Sequence, residues 1–107
     1  MACSNLQVKE FDQSIDVVYE AFEKALPLAG AGVPIKMKES HQLLSEVSTS
    51  LWSWGEKISV SMKETNTGGT RVQVKSESSF GMTLIDWGKN KKNVDKILMQ
   101  AKMILHK

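Results

Sequence analysis

The chain has 107 residues, a formal charge of +2, 41% apolar and 24% charged residues, and one cysteine. That is one domain's worth of chain, with enough apolar material for a single core. It excludes an internal disulfide, a nucleic-acid surface argued from charge alone, and an apolar run long enough to span a bilayer.

Met1-Ala2-Cys3-Ser4 resembles the end of a bacterial lipobox with its lipid-accepting cysteine, but the apolar segment that belongs before it is missing. The expectation is a cytoplasmic protein, with a cell-envelope lipoprotein anchored at Cys3 as the alternative. Leu6 and Val8 alternate with Gln7 and Lys9, which predicts a first strand. Asp12 or Ser14 can cap a helix in which Ile15, Val18, Tyr19, Phe22, Ala25 and Leu26 fall on one face. Asp16, Glu20 and Glu23 fall opposite and read as a solvated face. Pro27 and the run Ala29-Gly30-Ala31-Gly32 end this helix.

Val33 to Glu39 reads as a strand with Ile35 and Met37 on one side, and Leu43, Val47, Thr49 and Leu51 as a less regular one. Ile58, Val60 and Met62, then Val72 and Val74, alternate with polar residues on either side of Asn66-Thr67-Gly68-Gly69. All of these apolar positions are even-numbered. Facing residues share a side of the sheet, so paired numbers sum to an even value and the loop holds an odd number of residues. A three- or five-residue loop with a glycine at positive φ is expected. Phe80 to Ile85 is read as a linking segment.

The segment Asp86-Trp87-Gly88-Lys89-Asn90-Lys91-Lys92-Asn93 precedes a helical stripe of Val94, Ile97, Leu98, Ala101, Ile104 and Leu105. Helix starts favour acidic residues, yet this one holds three lysines. Extending the stripe backwards takes in Trp87, which predicts a helix capped by Asp86, with Lys89 in its first turn and Lys91 and Lys92 past it. The alternative is a helix starting at Asn90 whose free N–H groups, with Lys89, Lys91, Lys92 and Lys96, hold an anion. Asn90 falls within the apolar stripe, as a structural amide or as one that orients a ligand.

Strand, helix, four strands, helix gives an α+β fold: a single two-layer domain over residues 1–107, with an antiparallel sheet wet on one face and both helices on the other. Trp52 and Trp54, at i and i+2, either close the core or form an exposed aromatic patch. His41 and His106 lie too far apart in sequence to suggest a metal site. Ser59, Ser61, Ser76, Ser78 and Ser79 read as a solvated sheet face. No phosphate loop, nucleophile elbow or paired-carboxylate motif is present, so neither catalysis nor a cofactor is expected.

Ser53-Trp54-Gly55-Glu56-Lys57-Ile58, a Val-x-Val-x-Ser strand, and Asp86-Trp87-Gly88-Lys89-Asn90 with Asn93 together resemble a small bacterial domain family without an assigned activity. The element order is similar to the TATA-box-binding-protein-like fold and to the helix-grip lipid-binding proteins. That resemblance implies a module for a small apolar ligand or a partner protein. The ligand-binding residues expected are Trp54, Trp87 and Asn90, and the protein is expected to be a monomer or weak dimer. The alternative is an anion or nucleic-acid contact through Lys89, Lys91, Lys92 and Lys96.

Overall fold

The computed structural model describes residues 4–47, 55–78 and 88–106. The elements are β1 (Ser4–Phe11), α1 (Ile15–Leu28), β2 (Ile35–Met37), a 3-10 turn (Lys38–Ser40), β3 (Gln42–Val47), β4 (Glu56–Glu64), β5 (Thr70–Ser78) and α2 (Lys89–Leu105). The strands form one antiparallel sheet in the order β1-β5-β4-β3-β2. The expected α+β order of strand, helix, four strands, helix is therefore present.

α1 buries every residue of its predicted stripe, together with Ala21. Ser14 stands at the N-cap, though its side chain makes no capping bond, and Pro27 lies inside the last turn rather than after it. The sheet supplies Leu43, Ile58, Val60, Met62, Val72 and Val74, and α2 supplies Val94, Ile97, Leu98 and Ala101, to one continuous core. Tyr19 hydrogen-bonds through its hydroxyl to the Gln42 carbonyl at 2.9 Å. Burial, and then the Glu23 carboxylate, raise the Tyr19 pKa, so the phenol remains a donor at neutral pH.

The β4–β5 hairpin pairs Glu64 with Thr70 and leaves a five-residue loop, with Gly68 at φ +85°. The odd length follows from the parity argument, and the positive φ falls on a glycine as expected. Thr65 holds the loop through its hydroxyl, which accepts from Gly69 N–H at 3.1 Å. Gly69 lies against the end of β1, and a methyl group placed on it collides with the Phe11 carbonyl. Gly69→Ala should therefore cost about 2 kcal/mol, typical of overpacking against backbone. Urea unfolding measures this, and Gly68→Ala, whose added methyl meets nothing, reports the backbone-strain cost alone.

Three expectations are corrected. Leu6 and Val8 of β1 pair with Lys75 and Gln73, so they face outward, while Gln7 and Lys9 face the helices. At the other edge β2 is only three residues long, and Ile35 and Met37 are also exposed on the outer face. That face is polar along its centre and apolar at both margins. The third concerns α2, which starts at Lys89 with Gly88 in the left-handed region at φ +75°. A helical cap at Asp86 is incompatible with that φ, because the turn at Gly88 interrupts any helix running back through Trp87.

Candidate ligand-binding site

Val47, Glu56 and Ser78 form one row across β3, β4 and β5, and α2 begins above it. Glu56 and Ser76 lie on the even-numbered side of their strands, facing α2 rather than solvent. Ser76 is fully buried and Glu56 is 4% exposed, which corrects the reading of Ser76 as part of a solvated face. Ser59 and Ser61 do fall on the outer side.

These residues meet α2 in a chain of hydrogen bonds. Ser76 Oγ donates to Asn90 Oδ1 at 2.7 Å, and Asn90 Nδ2 donates to Ser78 Oγ at 3.4 Å. Asn93 Nδ2 donates to Ser76 Oγ at 3.2 Å and to Glu56 Oε1 at 3.1 Å. Asn90 and Asn93 are three apart on the helix, so both reach down from its underside. Asn90 carries no residual exposure, and its bonds include those to two serine hydroxyls on β5. Glu56 differs from its neighbours: a buried carboxylate takes several donors, and among the described residues only Asn93 donates to it.

Of the expected ligand-binding residues, Asn90 lies within this buried network, while Trp54 and Trp87 lie outside the described residues, as do Cys3, Trp52, Thr49, Leu51, Phe80 to Ile85 and Asp86. Glu56 and Asn93, which share this network, were not among the residues the sequence singled out. The signal for Glu56 was parity: it shares the even-numbered face with Ile58, Val60 and Met62, as Ser76 shares it with Val72 and Val74.

Lys89, Lys91, Lys92 and Lys96 are all exposed. Lys91 bonds Asp95 at 2.7 Å, and that bond, with one from the Gln7 amide, holds the Asp95 carboxyl below its usual range. His41 packs edge-on against Tyr19, in a left-handed conformation at φ +54°. Among the described residues no cluster of His, Cys, Asp or Glu is suited to a metal, and no helix is long and apolar enough to cross a membrane.

No family model and no curated protein matches this chain. Solved structures do. CalU16 from Micromonospora echinospora superposes with a TM-score of 0.62 at 12% identity, over 97% of this chain and 80% of that one. A START superfamily protein from Mycobacterium smegmatis gives 0.59 at 9% identity, over 95% and 93%. The chain has the helix-grip fold. The Zhui aromatase/cyclase from Streptomyces sp. R1128 matches with a TM-score of 0.55 at 6% identity, over 97% and 88%. Identities this low carry the helix-grip architecture and nothing finer, and the likeness to the TATA-box-binding-protein-like fold gains no support from them. In helix-grip terms α2 is the gripped helix, and the Glu56–Asn93–Ser76–Asn90 chain lies under its first two turns.

Proposed function

We propose that the protein is a non-catalytic binding module. It holds a small ligand with an apolar body and a hydrogen-bond donor at one end, beside the start of α2. The observation that carries this reading is Glu56. It is a buried carboxylate with one described donor, set at the end of an otherwise apolar layer. Small-ligand sites are mostly apolar, with a few placed polar groups that fix orientation. Asn93 holds the carboxylate, Ser76 accepts a second bond from the same Asn93 amide, and Asn90 fixes the helix that carries Asn93. The layer beneath α2 from Val94 onward is closed by Val94, Ile97, Leu98 and Ala101, which confines any ligand to the Glu56 end.

Calorimetric titration with decanol and with decanoate tests this. Decanol should bind more tightly than decanoate, whose carboxylate meets Glu56. Glu56→Gln should weaken decanol about tenfold, the loss of one charged hydrogen bond. Failure of both to bind the native protein overturns the reading.

A second reading gains one point in its favour. α2 begins at Lys89 with no acidic residue in its first turn, so Lys89, Lys91 and Lys92 stand where a helix favours anions. Under that reading decanoate binds better than decanol, and its binding fades with added salt.

A further inference from the structure

The sheet has two edges. β2 offers three residues, whereas β1 offers eight, without proline. A strand edge of that length presents unpaired N–H and C=O groups that template pairing with another chain. Exposed apolar side chains flank it on both sides: Leu6 (55% exposed) and Val8 (48%) on the outer face, and Met99 and Met103 (60% each) on α2. Between β1 and α2 runs a groove of about 430 Å³ lined by Gln7, Lys9, Asp95, Leu98, Met99 and Lys102, among others.

We propose that this edge pairs with β1 of a second copy, antiparallel about a two-fold axis through Gln7, giving a dimer with one continuous sheet. Antiparallel pairing of a strand with itself is two-fold symmetric by construction, as closed dimers require. The register follows from the side chains. With Gln7 opposite Gln7, Leu6 of each copy faces Val8 of the other on the outer face. Moving the register two places toward the carboxyl end sets Leu6 against the Glu10 carboxylate, and moving it the other way shortens the paired stretch.

Charge supports the same register. Gln7 Nε2 bonds both Asn5 Oδ1 at 3.0 Å and Asp95 Oδ1 at 2.9 Å, so the Asp95 carboxylate stands over Asn5 and Gln7. Lys9 takes part in none of the ion pairs among the described residues. In the dimer it lies opposite Asn5 of the second copy, beside that copy's Asp95. The symmetry makes this contact twice, and no like charges face each other across the seam.

Analytical ultracentrifugation of the full chain tests the dimer, and disulfide trapping tests its register. The native protein should show a monomer–dimer equilibrium. Val8→Lys should raise the dissociation constant at least tenfold, whereas Ile35→Lys, at the opposite edge, should leave it unchanged. Asp95→Asn should weaken the dimer and flatten its salt dependence. In a Cys3→Ser background, Gln7→Cys should cross-link to itself on oxidation, because facing Cα atoms about 4.5–5.5 Å apart suit a disulfide. Asn5→Cys and Lys9→Cys should cross-link only when mixed. A monomer at ~1 mM, where the weakest specific complexes form, overturns the proposal. So does a dimer lost in Ile35→Lys and kept in Val8→Lys, or a Gln7→Cys variant that does not cross-link.

Discussion

Phe22→Ala should lower the unfolding free energy by about 4 kcal/mol, in the range for emptying an aromatic site in a packed core. Phe22 carries no residual exposure. Its ring meets that of Phe11 edge to face, with centroids 5.9 Å apart and planes 77° from parallel. That contact joins α1 to the end of β1, so the loss loosens the edge strand as well as the helix. A domain of this size has roughly 5–15 kcal/mol in total, so the variant should lie close to the folding threshold. Denaturant unfolding measures the change. Phe22→Leu, which refills most of the volume, should recover more than half of it. An alanine variant within 1 kcal/mol of native, on the order of RT, would mean that the two layers are not packed as described.

Asn90→Ala should cost about 3 kcal/mol, at the upper end for leaving a buried donor without its acceptor. Ser76 Oγ donates to Asn90 Oδ1 in a site without solvent access. Removing the amide takes away the acceptor of the Ser76 hydroxyl, which keeps only the bond it accepts from Asn93, and withdraws the bond to Ser78. Ser76→Ala alone should also destabilise. The double variant should cost less than the sum of the two, by about 1–2 kcal/mol, because partners in one network couple. Hydrogen exchange locates the effect: amides in the first two turns of α2 should lose protection before those around Ala101. Strict additivity would show that Asn90 and Ser76 act independently.

Much of this was legible in the residues. α1 was readable because its apolar stripe lies on one face and has one surface to cover. The odd-numbered hairpin loop was readable because parity is arithmetic, and Ile58, Val60, Met62, Val72 and Val74 all fall on the same count. The side taken by β1 was not. Alternation gives a period but not a direction, and at the margin of a sheet the helices no longer cover the inner face. Gln7 turns inward to bond Asp95, and Leu6 and Val8 are left outside. The start of α2 failed for a related reason. Spacing carries a stripe backwards indefinitely, while the left-handed turn at Gly88 is a local backbone choice that spacing does not see. Of the candidate site, Asn90 was visible as a polar residue on an apolar stripe. Glu56 carried the same kind of signal on β4, within the segment quoted only for its resemblance.

The sheet joins its first strand to its last: Ser4 pairs with Glu77 and Phe11 with Thr70. During synthesis, then, β1 emerges long before its neighbour exists. The β4–β5 hairpin can form within microseconds of leaving the ribosome, but β1 stays without a mate until residues near the far end of the chain have been made. Contacts so distant in sequence fold slowly and leave sticky strands uncovered meanwhile. In this protein the nascent chain's hazard and the finished sheet's margin are the same eight residues.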